Sequence, residues 1–164
     1  MKFFKMLLLP MLLLLVACNT QNTKFDSANE LEPEQNLEEL IKLKQNAQAA
    51  YQNNDWEQSV EYYGSLSQRI PNDAEIWFRL GNTYARLNKH GEALQSYQQA
   101  LSRDSNNSKV WHNMGIIQLK LATQTFVQMQ EHITAGDPLS IRATQLVDGI
   151  SRLLKQDFSK TSTD

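Results

Sequence analysis

The side chains that could carry out chemistry are few and scattered. The three histidines, His90, His112 and His132, never fall at the i+3 or i+4 spacing with which helices present metal ligands. Neither an HExxH nor a CxxC pattern occurs, and GxSxG, P-loop and GxGxxG patterns are missing as well. Acidic residues are numerous, but no spacing pairs two of them for acid–base work. The sequence therefore predicts neither an enzyme nor a metal site, and a hydrolase without a recognisable motif is kept as a minor alternative.

Size and charge narrow the class of protein further. The 164 residues suffice for one modest domain, and 41% hydrophobic with 21% charged residues is an ordinary composition. Loss of Lys2 and Lys5 with a cleaved leader would leave 14 of the 16 basic residues against 18 acidic ones, a net charge of -4. A nucleic-acid-binding protein usually has a basic face, so this balance argues against a nucleic-acid partner.

The N-terminus has the pattern of an export signal. The basic start MKFFK precedes an apolar run of twelve residues, MLLLPMLLLLVA, at positions 6–17. A helix of that length is too short to span a bilayer, but it matches the core of a signal peptide. We therefore expect residues 1–17 to be removed.

Residues 15–18, LVAC, resemble the lipobox of bacterial lipoproteins. The resemblance implies that Cys18, the only cysteine of the chain, becomes the mature N-terminus and carries a covalent lipid; a plain secretory peptide with an incidental cysteine is the alternative. Asn19 follows in place of the aspartate that retains such proteins in the inner membrane, which implies an outer-membrane anchor facing the periplasm. Residues 18–35 are polar and include Pro33, so they are interpreted as a flexible tether.

From residue 36 onward the apolar spacing is helical and repeats itself. A shift of the chain by 34 residues places Trp77 on Trp111, Gly81 on Gly115, and Tyr63 on Tyr97. Residues 53–55 and 88–91 break one helix from the next, and Asp55 and either Asn72 or Asp73 are candidate N-caps. The sequence thus predicts helical hairpins in tandem.

The repeat resembles the tetratricopeptide repeat (TPR). Its pattern of W-x2-LG-x2-Y followed by A-x3-F and A is matched by Trp77, Leu80, Gly81, Tyr84, Ala93, Tyr97 and Ala100. The resemblance implies an all-α fold, a short solenoid of about two and a half repeats, at residues 40–73, 74–107 and, in part, 108–121. The first helix of the first repeat is degenerate, with Leu43 and Ala47 in place of the tryptophan and glycine.

The C-terminal part is expected to complete this stack. Residues 109–134 contain no turn signal, which predicts one long helix or a kinked one. Asp137 is the expected cap of a last helix starting at Pro138. Its apolar stripe, which we expect to cover the open end of the array, comprises Leu139, Ala143, Leu146, Val147, Ile150, Leu153 and Leu154. The helical domain is thus predicted at residues 36–156, with extra helices at 122–156 and a frayed tail at 157–164.

The family's geometry implies a concave groove lined by the first helix of each repeat. The candidate partner-binding residues in this groove are Phe78, Asn82, Arg86, Lys109, His112, Asn113 and Ile116. In the alternative, the C-terminal helix fills the groove, and Phe78 and Ile116 belong to the core.

The resulting functional expectation is a lipid-anchored periplasmic adaptor or assembly factor. It would hold a protein or peptide partner during assembly of an envelope machine such as a pilus, a secretin channel or a polysaccharide exporter. No cofactor is expected other than the covalent lipid on Cys18. A self-associating or wall-bracing structural lipoprotein without a peptide ligand is the alternative.

Overall fold

A computed structural model describes the backbone of residues 33–134 and 136–161, and side chains between residues 34 and 156. This part of the chain is all α-helical. Its helices are α1 (Pro33–Gln52), α2 (Trp56–Arg69), α3 (Ala74–Arg86), α4 (His90–Arg103), α5 (Ser108–His132) and α6 (Pro138–Thr161). Each helix packs against the next along the chain. The predicted fold class, a helical-hairpin solenoid, is confirmed.

Two asparagines shape the turns inside the first two hairpins. Asn54 and Asn88 have φ angles of 59° and 56°, in the left-handed region that asparagine tolerates better than most residues. They lie 34 positions apart, one after α1 and one after α3. The position one repeat later holds Ala122, which strongly favours the helix interior, and α5 continues through it. The third repeat therefore has no hairpin turn.

Side-chain caps start α2, α3, α5 and α6, whereas α4 begins after Lys89 without a side-chain cap. Asp55 accepts a bond from the Gln58 amide at 3.3 Å, and Asp73 accepts one from the Glu75 amide at 3.0 Å. The predicted cap at Asp55 is confirmed, and of the two candidates before α3 the cap is Asp73 and not Asn72. Asn107 caps α5 in the same way. The start of α6 is also as predicted, because Asp137 accepts from the Leu139 amide at 2.8 Å.

The two tryptophans of the repeat make the same bond at equivalent places. The indole N–H of Trp77 donates to the Pro71 carbonyl at 2.8 Å, and that of Trp111 donates to the Ser105 carbonyl at 2.9 Å. The guanidinium of Arg103 lies 5.1 Å from the ring of Trp77. Trp111 is 53% exposed, because α5 runs on in place of the second helix that would cover it.

The core consists of two clusters joined by shared side chains. One is formed by α1, α2 and α3 around Tyr63 and Leu66; the other is formed by α3, α4 and α5 around Tyr97 and Val110. Trp77 and Tyr84 pack against both clusters. The two hairpins are therefore one packed unit, as expected for stacked repeats.

Some predicted boundaries need correction. Helix α1 starts at Pro33, inside the segment interpreted as a tether, because proline suits the first position of a helix. Helix α6 continues to Thr161, into the tail expected to fray. The long-helix prediction holds, and α5 crosses the proposed boundary between residues 121 and 122 without interruption. The predicted signal peptide and Cys18 lie outside the described residues.

The apolar stripe of α6 is buried only in part. Ala143 is 1% exposed, whereas Leu139, Leu146 and Leu153 are 50%, 46% and 58% exposed. The helix packs against α5, so it extends the array as a hairpin arm, and only one side of its stripe is covered. No helix within the described ranges is long and apolar enough to cross a membrane.

Candidate functional site

A cavity of about 340 Å³ lies between the first helices of the first two repeats. Helix α1 contributes Lys44, Gln48, Tyr51 and Gln52, and α3 with its N-terminal turn contributes Asp73, Glu75 and Arg79. Buried Tyr63 and Leu66 of α2 and Ile76 of α3 also line it. The volume is in the range of ligand-binding clefts, and the position is the concave side that the family's geometry implies.

The charged groups of the cavity are matched in sign. Arg79 donates from Nε to Glu75 Oε1 at 2.7 Å, and Lys44 Nζ lies 4.0 Å from Asp73 Oδ2. Burial acts to lower the pKa of Arg79, but the hydrogen bond and charge of Glu75 outweigh it, and the pKa is raised. Two cations and two carboxylates give the cavity no net charge. It is therefore suited to a dipolar ligand rather than to a strongly charged one.

Contacts of the Tyr51 ring fix the side chains at one end of the cavity. The Arg79 guanidinium lies 5.1 Å from the Tyr51 ring centroid, and Tyr51 meets Trp56 and Tyr63 edge-on at 5.6 and 6.2 Å. Burial raises the pKa of Tyr63, so its phenol stays neutral. Such edge-to-face and cation–π contacts fix the rings without further hydrogen bonds.

Two exposed amides give the cavity its hydrogen-bonding capacity. Gln48 and Gln52 lie on the wall formed by α1, with their side chains open to solvent. A glutamine amide can donate to a peptide carbonyl and accept from a peptide N–H at once. With Tyr51 as an apolar surface beside them, these groups can bind the backbone of an extended polypeptide. They offer nothing that would make or break a covalent bond.

Phe78 does not line a groove. It is 8% exposed, and its ring centroid lies 6.3 Å from that of Tyr97 within the core cluster of α3, α4 and α5. The prediction that Phe78 faces a partner is therefore corrected. The alternative prediction, in which the C-terminal helix fills the groove, was right that Phe78 is buried but wrong about the helix that buries it. Helices α4 and α5 cover Phe78, whereas α6 packs on α5.

Asn82, His112 and Asn113 are brought together, but they bind one another. Asn113 Nδ2 donates to Asn82 Oδ1 at 2.8 Å, and the Tyr97 hydroxyl donates to the same oxygen at 2.9 Å. His112 Nδ1 lies 3.2 Å from Asn113 Oδ1. Burial raises the pKa of Tyr97 to about 12, so the hydroxyl remains a donor at neutral pH. These bonds brace α3 against α5, and the amides are not presented as open ligand-binding groups.

The other three candidates are dispersed. Ile116 is half-buried, and Lys109 is exposed near the start of α5. The Arg86 guanidinium lies 5.7 Å from the Trp56 ring, on the α2 side of α3 and away from Lys109 and Ile116. The seven candidates thus do not form one site.

The cavity residues of α1 were missed for an identifiable reason. Lys44, Gln48 and Tyr51 stand 34 positions before Phe78, Asn82 and Ala85, so they hold the same groove positions one repeat earlier. The degenerate packing residues of α1 hide these positions from a comparison with the repeat pattern. The 34-residue offset alone indicates the three positions of α1, although Phe78 at the equivalent place in α3 is buried.

Nothing in the described ranges suggests a metal centre. No group of three or more His, Cys, Asp and Glu side chains lies close enough there to hold an ion. The residues that line the cavity between α1 and α3 are suited to binding a polypeptide.

Comparisons with known proteins agree with the fold. Residues 45–108 match the family described as tetratricopeptide repeat, and this supports a TPR protein. TPR domains are protein-interaction modules, generally without enzymatic activity.

Curated relatives match part of this chain. The chain is 27% identical over 114 residues to the peroxisomal targeting signal receptor of Candida albicans, which is 69% of this chain and 19% of that protein. It is 33% identical over 61 residues to the general transcriptional corepressor ssn6 of Schizosaccharomyces pombe, 36% of this chain and 6% of that protein. The matched region is thus a small part of each relative.

Proposed function

We propose that the chain is a protein-binding adaptor whose cavity between α1 and α3 binds an extended segment of its partner. The observation that carries the proposal is the cavity itself, about 340 Å³ of concave space with paired charges and two exposed glutamine amides. Uncharged amides recognise the peptide backbone, so a dipolar segment fits the site better than a highly charged one. The name of the Candida albicans relative, a targeting signal receptor, supports the recognition of a polypeptide segment.

The setting we propose is the bacterial envelope. The apolar run at 6–17 and the LVAC sequence support a lipid on Cys18, and Asn19 supports an outer-membrane anchor facing the periplasm. There the domain would hold a component of a pilus, a secretin channel or a polysaccharide exporter during assembly. The proposed location in the envelope rests on the sequence alone. The proposal that the cavity binds a polypeptide segment does not depend on it.

Site-specific photo-crosslinking tests the cavity. A photoreactive phenylalanine at Gln48 should link the chain to a specific partner in cells that naturally carry it. The same group at Gln68, exposed on α2 and outside the cavity lining, is the matched control. Equal crosslinking from both positions, or none from Gln48, would contradict the proposal.

A direct binding measurement completes the test. A synthetic peptide with the sequence of the crosslinked segment should bind the chain, and the double variant Gln48→Ala with Gln52→Ala should weaken that binding. Loss of one or two neutral hydrogen bonds predicts a roughly 5- to 100-fold increase in Kd. An unchanged affinity would mean that the segment binds elsewhere.

A separate experiment tests the proposed lipid anchor on Cys18. Cys18→Ala should move the protein from the membrane fraction to the soluble fraction while leaving peptide binding unchanged. Retention of the variant in the membrane fraction would refute the lipid anchor and leave the cavity proposal intact.

A further inference from the structure

A second cleft, of about 340 Å³, lies between α1 and α2. Four of its lining residues come from α1 and two from α2; they are Glu39, Lys42, Leu43, Asn46, Ser65 and Arg69. Among the described residues, none that lines this α1/α2 cleft also lines the cavity between α1 and α3. The α1/α2 cleft is therefore a separate feature of the surface, with a volume in the range of ligand-binding clefts.

The 34-residue repeat explains why the α1/α2 cleft is open. Leu43 is the counterpart of Trp77, and Arg69 is the counterpart of Arg103. In the second hairpin the Trp77 ring packs against the core, and the Arg103 guanidinium at the end of α4 lies 5.1 Å from the centroid of that ring. In the first hairpin the arginine is kept, but a leucine stands in place of the tryptophan. Because leucine is smaller than tryptophan, the position that an indole fills in the second hairpin is left partly empty in the first.

The charges of the α1/α2 cleft favour an aromatic ring over an aliphatic side chain. Two cations, Lys42 and Arg69, stand against one carboxylate, Glu39. Arg69 Nη2 lies 3.4 Å from Glu39 Oε2, so the guanidinium is held at the cleft. The face of an aromatic ring carries a negative partial charge, which attracts a cation placed over it. An aliphatic side chain lacks this attraction.

Two polar groups in the lining suit a ring that is carried by a polypeptide. The Asn46 amide can donate and accept hydrogen bonds, and the Ser65 hydroxyl can do the same. These groups can bond the peptide units on either side of a bound aromatic residue. A free aromatic molecule has no such units to offer.

From these observations we infer that the α1/α2 cleft binds a tryptophan side chain of a partner polypeptide. The bound indole lies beside Leu43 with its face toward Arg69, as Trp77 is placed relative to Arg103 in the second hairpin. The partner thus supplies the aromatic ring that the first repeat lacks. This site does not depend on the cavity between α1 and α3, so either proposal can fail without the other.

Filling the cleft from within the chain is the first test. Leu43→Trp should raise the melting temperature of the full-length chain in detergent by roughly 2–8 °C, because the new indole gains the contacts that Trp77 has. Ile41→Trp is the matched control, since Ile41 is 48% exposed on α1 and lies outside the cleft lining. The control should not raise the melting temperature. An unchanged or lower melting temperature for Leu43→Trp would show that the cleft does not accept an indole and would overturn the inference.

Binding is measured with a fluorinated N-acetyl-tryptophanamide, observed by fluorine NMR. The probe should bind the unmodified full-length chain and the Ile41→Trp control saturably, and it should not bind Leu43→Trp, whose own indole fills the cleft. Uptake of the probe by the detergent is the same for all variants, so the difference between them reports the cleft. No difference between the unmodified chain and Leu43→Trp up to about 10 mM probe, which would nearly saturate even a millimolar site, would refute the inference.

A variant that keeps the cleft open tests the role of the guanidinium. Arg69→Gln should raise the Kd of the probe by about 2- to 30-fold, because a cation over the ring is lost. Arg69→Lys keeps a cation and should lose less. An unchanged Kd in Arg69→Gln would contradict the placement of the ring against Arg69.

Further arms separate a partner polypeptide from other occupants. N-acetyl-tryptophanamide should bind about 2- to 12-fold more tightly than free indole, as one neutral hydrogen bond to its amides would give; equal affinities would point to a free aromatic molecule. Probe binding that appears only after Phe25→Ser would assign the cleft to this chain's own N-terminal segment. Binding that weakens as the protein concentration rises would assign it to a second copy. Each of these three results would overturn the assignment to a partner polypeptide.

Discussion

At the scale of single residues, Gly81 determines how closely α3 can approach α4. A Cβ atom at this position would lie 2.5 and 2.6 Å from two ring carbons of Tyr97, well inside van der Waals contact. Tyr97 cannot easily move, because it is 1% exposed and its hydroxyl is bonded to Asn82. The glycine of the repeat pattern thus has a measurable steric reason.

We expect Gly81→Ala to lower the free energy of unfolding by about 1–3 kcal/mol, because overpacking outweighs the gain in helix propensity. Gly64→Ala is the control, since a Cβ atom at Gly64 meets nothing within 4 Å. The control should leave stability unchanged or raise it by roughly 0.5–1 kcal/mol. Urea denaturation measures both, and a Gly81→Ala protein as stable as the parent would contradict the steric argument.

His90, at the start of α4, should make stability depend on pH. Its Nδ1 atom is buried and has no hydrogen-bond partner among the described residues. Burial lowers the pKa of this imidazole, and the positive charge of Lys120 lowers it further. The unfolded chain then takes up the proton more readily than the folded one. The His90 contribution to stability is therefore present above the unfolded pKa of 6.5 and is lost as the pH falls through the lower folded pKa.

A substitution separates His90 from the other titrating groups. His90→Gln should reduce the loss of melting temperature between neutral and mildly acidic pH. His132→Gln, the same replacement at an exposed histidine at the end of α5, is the matched control for the substitution itself. The same acid sensitivity in the His90→Gln protein would exclude this histidine as its cause.

The packing residues were easier to predict from the sequence than the binding residues. Gly81, Ala93 and Ala100 are buried as the repeat pattern indicates, because each must fit one particular neighbour. The burial of Phe78 could not be derived from its position, since α5 covers it, and the course of α5 depends on tertiary packing. The position of a residue in the repeat predicts only the direction in which its side chain points. It does not predict which other helix covers that side chain.

At the scale of helices, the turn residues explain both the regular hairpins and the departure from them. Asn54 and Asn88 adopt left-handed conformations where α1 and α3 end, whereas Ala122 keeps α5 helical at the equivalent place. The continuation of α5 through this position was predictable from the sequence, because residues 109–134 lack a turn signal. The start of α1 was harder to predict, since its opening residues are polar and α1 has little apolar periodicity there.

Asp73 tests how much a cap stabilises the second hairpin. Its carboxylate accepts bonds from the amides of Glu75 and Ile76, and Asp73→Ala should cost about 1 kcal/mol of unfolding free energy. Asp73→Asn keeps a capping acceptor and should retain most of this stability while removing the charge near Lys44. Thermal or urea denaturation distinguishes the two. Equal losses would show that the charge, not the cap, is responsible.

At the scale of the whole molecule, position in the array determines how well each helix is supported. Helices α3 and α4 are packed between α2 on one side and α5 on the other, whereas α6 packs on α5. Stacked repeats gain stability from each neighbouring interface, so the middle hairpin has the most support and the terminal helices α1 and α6 the least. Composition and repeat spacing predicted this architecture, but they could not predict that Leu139, Leu146 and Leu153 of α6 stay about half exposed.

Hydrogen exchange measured by mass spectrometry should show this gradient directly. Amide protection should be highest in α3 and α4 and lowest in α1 and α6, because opening a terminal helix breaks one interface and opening the middle hairpin breaks two. Gly81→Ala should raise exchange in α3 and α4, since it weakens the contact between them. Uniform exchange across all six helices would instead indicate a single cooperative unit and contradict the nearest-neighbour account.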